Sequence, residues 1–71
     1  MYKEIFPMRL KEAREKTKLT QRDVGKELKI SQSSIAKYET GKSEPDIETL
    51  GRLAEFYNVS LDKLFGLVIK E

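Results

Sequence analysis

Apolar residues recur along this chain three and four positions apart, which is the spacing that places side chains on one face of an α-helix. The pattern is interrupted at regular intervals by short polar or glycine-containing stretches, which predict turns. The sequence therefore predicts five short helices. The residues that follow this spacing are Leu10, Ala13 and Thr17 in the first; Val24 and Leu28 in the second; Ile35 and Tyr38 in the third; Ile47, Leu50, Leu53, Ala54 and Tyr57 in the fourth; and Leu61, Leu64 and Phe65 in the fifth.

Small polar residues mark the expected start of four of these helices. Thr20 precedes the second helix and has Asp23 three residues later, close to a capping box. Ser31, Asp46 and Ser60 stand directly before the third, fourth and fifth helices, where a side-chain oxygen accepts a bond from a free backbone N–H.

The expected boundaries at the remaining ends rest on proline, glycine and asparagine. Pro7 suits the first turn of the first helix, because its missing N–H is not needed there. Gly41, Asn58 and Gly66 follow the third, fourth and fifth helices, and Gly41 suits the left-handed position after a helix.

Both flanks are expected to lie outside the helices. Residues 1–6 contain Tyr2, Ile5 and Phe6 ahead of Pro7, and residues 67–71 begin with three branched apolar residues, as β-strands often do. Segments 2–6 and 66–70 could pair as a short antiparallel ribbon, or both could be frayed ends. We therefore expect a single domain over residues 1–71 with a core at 7–66, all-α, with or without this ribbon.

Composition narrows the chemistry that is available. The 71 residues contain no cysteine and no histidine, which excludes disulfides and leaves only carboxylates to bind zinc. Without those residues there is no acyl-transfer site either, so the serines and threonines are interpreted as helix caps and no enzyme or cofactor is expected. The net charge of +2 is small although 37% of residues are charged. A nucleic-acid partner is compatible with this charge if the basic residues share one face, so their distribution matters more than their sum.

The most informative stretch runs from residue 20 to residue 39. It predicts two short helices joined by a turn at 29–31, with Gly25 placed where a small residue allows a second helix to approach closely. Ile30 in the turn is expected to fill the corner between them. This is the arrangement of a helix-turn-helix.

The stretch and its surroundings resemble the Cro/repressor, or Xre-like, helix-turn-helix family. The resemblance covers residues 7–66 and implies a five-helix, lambda-repressor-like bundle that binds operator DNA as a dimer. The matching residues are Gln21, Val24, Gly25, Leu28, Ile30, Ser31, Ile35, Tyr38, Glu39, Gly41, Pro45, Leu50, Ala54, Val59, Asp62 and Leu64.

The resemblance implies that the third helix enters the major groove of DNA. Its outward residues are then expected to read bases: Gln32 suits adenine, Lys37 suits guanine or a phosphate, and Ala36 suits a thymine methyl group. Ser33 is the fourth member of this group.

Phosphate contacts are expected around the same helices. Gln21 opens the second helix and resembles a family residue that clamps a phosphate together with the helix N-terminus, which attracts anions. The other expected phosphate-binding residues are Arg22, Ser31, Ser34, Thr40, Lys42 and Ser43.

Two further positions are expected to be structural. Arg14 and Glu39 resemble family positions that form a partly buried ion pair between the first and third helices. Lys29 departs from the family, which often has glycine in this turn, and a left-handed backbone there would cost about 1 kcal/mol for a lysine.

The expected partners are double-stranded DNA with a pseudo-palindromic operator and a second copy of the chain. Residues expected at the dimer contact are Phe56, Tyr57, Leu67, Val68 and Ile69. Nothing in the sequence indicates a signal peptide, a membrane span or a small-molecule effector, and we expect a cytoplasmic transcriptional regulator, most simply a repressor. The alternative is a protein-interaction module, such as an antitoxin or adaptor, with the same fold.

Overall fold

The computed structural model describes residues 2–66, with side chains from residue 4 onward. It contains five helices and, within that part of the chain, no strand. They are α1 (Tyr2–Thr17), α2 (Gln21–Leu28), α3 (Gln32–Thr40), α4 (Ile47–Tyr57) and α5 (Leu61–Leu64). The expectation of an all-α, five-helix bundle is confirmed.

Helix α1 begins earlier than the sequence predicts, and Pro7 lies inside it rather than in its first turn. Proline at this position removes the bond that its N–H would give to the carbonyl four residues earlier. Burial offsets that loss, because Phe6 is buried and stacks on Phe65 with ring centroids 5.3 Å apart. The prediction of a non-helical flank at residues 2–6 is therefore wrong.

The alternative of an antiparallel ribbon is also wrong for its first strand, because that segment belongs to α1. Residues 2–6 are helical, and the opposite segment, 67–70, lies outside the described residues. The chain leaves α5 through Gly66, whose φ of 71° suits glycine. A Cβ added to Gly66 would lie 2.9 Å from Cγ2 of Ile5, so the end of α5 passes directly against the N-terminal half of α1.

The core draws one completely buried side chain from every helix. Leu10, Val24, Ile35, Leu53 and Leu64 are each at most 1% exposed. Burying such a side chain contributes about 1.5–3 kcal/mol. Because each helix supplies one of these residues, the position of α2 and α3 depends on packing against all the others.

Two apolar residues assigned to buried faces are instead exposed. Ile47 is 88% exposed at the start of α4, and Leu61 is 43% exposed at the start of α5. Each is the first residue of its helix and so extends beyond the packed part of that helix. Met8 on α1 is a third exposed apolar side chain, at 54%.

The predicted helix caps are confirmed. Thr20 and Asp23 exchange bonds as a capping box, and Ser31, Asp46 and Ser60 each accept a bond from the backbone N–H three residues later. These bonds lower the pKa of the Asp46 carboxyl, through Thr49, and that of the Asp23 carboxyl, through Thr20.

Candidate nucleic-acid interface

The turn between α2 and α3 is fixed by a close backbone approach at Gly25. A Cβ built on Gly25 would lie 2.5 Å from the carbonyl oxygen of Ile30, which is closer than side-chain atoms approach backbone. The Ile30 N–H also donates to the Gly25 carbonyl at 2.9 Å. Glycine is therefore required here, although the closest neighbour is the turn itself rather than a second helix.

Lys29 adopts the left-handed backbone that its family position suggested. Its φ is 57° and its N–H caps α2 by donating to the Gly25 carbonyl. The turn thus has the expected geometry with lysine in place of glycine, at a cost of about 1 kcal/mol. Ile30 packs against the core from the same turn.

The four residues expected to read bases lie on the outward face of α3. Gln32, Ser33 and Lys37 are exposed, Ala36 is half-exposed, and none of the four belongs to the core. The opposite face of α3 carries Ile35 and Glu39, both buried. Helix α3 is therefore held by one face and presents the other to a partner.

The two serines at the start of α3 are linked to each other. The Ser31 hydroxyl accepts from the Ser34 N–H at 3.1 Å and donates to the Ser34 hydroxyl oxygen at 2.9 Å. Because the Ser31 proton is used within this pair, the Ser34 hydroxyl is the one that retains a proton for a phosphate oxygen.

The expected phosphate contacts after α3 lie on a tightly closed turn. The backbone N–H groups of Lys42 and Ser43 both donate to the Lys37 carbonyl, at 3.0 and 3.3 Å, and Gly41 takes the left-handed position at φ 81°. The side chains of Thr40, Lys42 and Ser43 are all exposed. The Thr40 hydroxyl donates weakly to the same carbonyl, at 3.3 Å.

A network of three side chains connects α1, α2 and α3 behind this surface. Arg14 donates to both carboxylate oxygens of Glu39, from Nε at 2.7 Å and from Nη2 at 3.1 Å, and from Nη1 to the Leu19 carbonyl at 2.9 Å. Gln21 donates from its side-chain amide to Glu39 at 3.0 Å. The Glu39 side chain is only 2% exposed, and its bond to Arg14 raises the pKa of the guanidinium further.

This network changes the expected role of Gln21. One of its two amide protons is committed to Glu39, so only the other is available for a phosphate. In the capping box, the backbone N–H of Asp23 donates to the Thr20 hydroxyl. The backbone N–H groups of Gln21 and Arg22, in the first turn of α2, have no partner within the helix. An anion at this end would meet those two backbone groups and the remaining amide proton.

Arg52 is a positioning residue that the sequence analysis missed. Its guanidinium on α4 donates to the Leu28 carbonyl, the last of α2, and so caps that helix from another element. The favourable placement of a cation at a helix C-terminus is general. Only the fold brings these residues together, because 24 positions separate them in the sequence.

Two of the five residues expected at the dimer contact, Phe56 and Tyr57, lie in the described part of the chain. Tyr57 is a core residue, 7% exposed, and burial raises the pKa of its hydroxyl to about 12. Its assignment to the dimer contact is therefore corrected to the core. Phe56 is half-buried beside Leu19 and α2, whereas Leu67, Val68 and Ile69 lie outside the described residues.

Comparison with known proteins identifies the family. The helix-turn-helix family model matches residues 10–64, which run from the second half of α1 to the end of α5. The chain belongs to the Xre-like helix-turn-helix family. Membership supports the expectation of a DNA-binding transcriptional regulator.

Three of the relatives are transcriptional regulators from bacteria, and one of these is named for a cryptic phage. The chain is 43% identical over 58 residues to the HTH-type transcriptional regulator ImmR of Bacillus subtilis, covering 82% of this chain and 46% of ImmR. It is 34% identical to the transcriptional activator BcrR of Enterococcus faecalis, covering 86% and 30%, respectively. It is 36% identical to the CTXphi transcriptional repressor RstR of Vibrio cholerae, covering 82% and 52%.

The chain thus spans about half or less of these relatives, and the shared part is the helix-turn-helix region. Within the described part of the chain, none of the helices combines the length and apolar character needed to cross a bilayer.

Proposed function

We propose that this chain binds double-stranded DNA sequence-specifically as a homodimer and regulates transcription by occupying an operator. The observation that carries the proposal is the division of α3 into two faces. One face is anchored by Ile35 and by the Glu39 network, and the other presents Gln32, Ser33 and Lys37 to solvent. A short, rigidly held helix with a polar outer face is what major-groove reading requires.

Each outward residue has a base edge that it suits. The Gln32 amide matches the donor and acceptor pair of adenine, and Lys37 donates to the acceptors of guanine. Ser33 donates or accepts, and the methyl group of Ala36 suits thymine. These contacts discriminate between sequences, so they set which operator is bound.

The phosphate contacts fix the register of the helix in the groove. We assign them to both ends of α3 and to the start of α2. The residues are Gln21, Arg22, Ser31, Ser34, Thr40, Lys42 and Ser43.

Homodimer formation and repression are parts of the same proposal. The resemblance to operator-binding proteins that act as dimers favours association of two copies. We place the dimer contact at Phe56 and at the segment Leu67, Val68 and Ile69. RstR is named a repressor and BcrR an activator, so the family contains both modes. We favour repression because occupying a promoter needs no further surface on this chain.

Selection of binding sites from a random duplex pool tests the proposal. We expect an inverted repeat to be enriched. Gln32→Ala and Lys37→Ala should each relax the base preference at single operator positions. The discrimination against the wrong base should fall by about 1–3 kcal/mol for each lost contact. Gln21→Ala should instead weaken all sites alike.

Lys63→Ala is the matched control, since Lys63 is exposed on α5. It should leave both the selected sequence and the affinity unchanged. If no sequence is enriched and the wild-type chain does not bind DNA at low salt, the proposed function is wrong.

A further inference from the structure

Two cations on helix α2 and a third directly after it lie close together, and the proposed function uses only one of them. Arg22 and Lys26 lie four residues apart and so on one side of α2. Lys29 follows as the left-handed residue that ends the helix. We call these three residues the α2 stripe. All three are exposed, and none forms an ion pair within the described residues.

The α2 stripe borders the end of α3 that carries Gln32. Its three residues line one shallow depression of about 270 Å³ together with Gly25, Ile30, Ser31 and Gln32. The turn therefore joins the stripe to the first residues of the recognition surface. A ligand bound by Gln32 has the three cations beside it.

The acidic residues of α2 do not line this depression. The Asp23 carboxylate points back to the helix start, where it accepts from the Thr20 N–H at 3.0 Å. Asp23 and Glu27 line a different depression, with Leu19 and Phe56; Lys26 is the one residue common to both. The stripe thus presents three positive charges and no carboxylate to the side occupied by Gln32.

We propose that the α2 stripe binds phosphates of the DNA backbone beside the bases read by the start of α3. This rests on the proposed function and adds Lys26 and Lys29 to the interface. Helix α3 is about 13 Å long at 1.5 Å per residue. Phosphates bound by the stripe at its beginning are therefore distinct from those bound by Thr40, Lys42 and Ser43 at its end.

The residues beside the α2 stripe favour nucleic acid as its partner. An acidic protein surface would also attract three cations, but Gln32 and Ser31, the N-cap of α3, share the depression and suit nucleic acid. Contact with phosphates reads no sequence, so the stripe should raise the affinity for every operator equally.

The test compares Lys26→Gln with the control Lys63→Gln on the selected operator across a salt series. In the proposed homodimer, Lys26→Gln removes one phosphate contact from each copy. The magnitude of the slope of log K against log salt should therefore fall by about 1.8, which corresponds to about a sixtyfold loss of affinity at 0.1 M salt that disappears near 1 M. The glutamine variant keeps the length of the side chain and a good helix propensity, so folding should be retained. Lys63→Gln should keep the wild-type slope.

Operators with a single neutral methylphosphonate identify the contact. At one phosphate position beside the bases read by Gln32, the substitution should weaken the wild-type chain and leave Lys26→Gln unaffected. If Lys26→Gln keeps the wild-type affinity and slope, the stripe does not contact DNA, although the proposed function stands. If the wild-type chain binds no DNA, the proposed function itself has failed.

Discussion

Glu39 is the one charged residue buried in the described part of the chain, and its surroundings explain why it is tolerated. Three donors from Arg14 and Gln21 satisfy its two oxygens. Replacing such a pair with apolar residues is often neutral for stability, so its benefit here is geometric. It fixes the direction of α3 relative to α1 and α2, and with it the direction of Gln32 and Lys37.

Tyr57 is the second polar group in the core, and its hydroxyl has no hydrogen-bond partner within the described residues. We expect Tyr57→Phe to be neutral or to stabilise the fold by up to about 1 kcal/mol at pH 7, because it removes an unsatisfied polar group. Urea denaturation monitored by circular dichroism measures the difference. A large loss of stability at pH 7 would show that the hydroxyl has a partner.

The same variant makes a pH-dependent prediction. The pKa of Tyr57 is raised to about 12 by burial and by the charge of Glu39, whereas a free tyrosine has a pKa near 10. As the pH rises through this interval, the unfolded chain loses the proton first, so the wild-type fold loses stability between about pH 10 and 12. Tyr57→Phe should lack this contribution, and Tyr38→Phe, which keeps Tyr57, should retain it.

At the scale of elements, the turn between α2 and α3 depends on one glycine, Gly25, whereas another glycine, Gly51 on α4, has free space where a side chain would lie. A Cβ on Gly25 meets the Ile30 carbonyl, but one on Gly51 meets no atom within 4 Å. Gly25→Ala should therefore destabilise the fold by about 1–3 kcal/mol as an overpacked site and weaken operator binding. Gly51→Ala should stabilise it by about 1 kcal/mol through helix propensity alone.

Urea midpoints of the two variants, measured with equal protein concentrations, test this pair. The two shifts should have opposite signs. Equal shifts in one direction would mean that the turn relaxes without cost and that Gly25 has no special role in placing α3.

The sequence predicted the elements whose determinants are local. Thr20, Ser31, Asp46 and Ser60 cap the helices that follow them because a cap needs only its neighbours three residues away. The start of α1 was not predictable in this way. Pro7 locally favours a first turn, and only the distant stacking of Phe6 on Phe65 extends the helix before it.

The residues of the site also divide into those that local sequence predicts and those that only distant contacts bring together. The outward residues of α3 follow from its periodicity, and the family resemblance suggested the pairing of Arg14 with Glu39. The bond from Gln21 to Glu39 and the cap of Arg52 on Leu28 were missed, because each joins residues 18 or 24 positions apart. Ile47 was misplaced because periodicity assigns it to the apolar face although the helix begins there, beyond the packing of the core.

At the scale of the whole molecule, the dimensions are compatible with two copies on one face of DNA. The chain measures 38 × 22 × 21 Å, so two copies in contact have centres between about 21 and 38 Å apart, depending on the faces that meet. Successive major grooves on one face of B-DNA are about 34 Å apart. A dimer of this size can therefore present both copies of α3 without bending the duplex strongly.

This geometry predicts a strict dependence on half-site spacing. Inserting 5 base pairs between the half-sites, about half a helical turn, moves one half-site to the opposite face of the duplex. The proposed homodimer should then bind about as weakly as to one half-site, because its second α3 no longer reaches a groove. Gel-shift titrations with the native and lengthened operators measure the loss.

A variant with a weakened dimer contact provides the control. Ile69→Asp places a charge in the segment proposed for that contact and should sediment as a monomer. It should bind the native and the lengthened operators with equal, low affinity, because each copy then reads one half-site alone. If Ile69→Asp remains dimeric and sensitive to spacing, the dimer contact lies elsewhere, and the exposed Ile47, Leu61 and Met8 become the positions to substitute next. If the wild-type chain itself tolerates the insertion, the two half-sites are bound independently and the proposed rigid dimer is wrong.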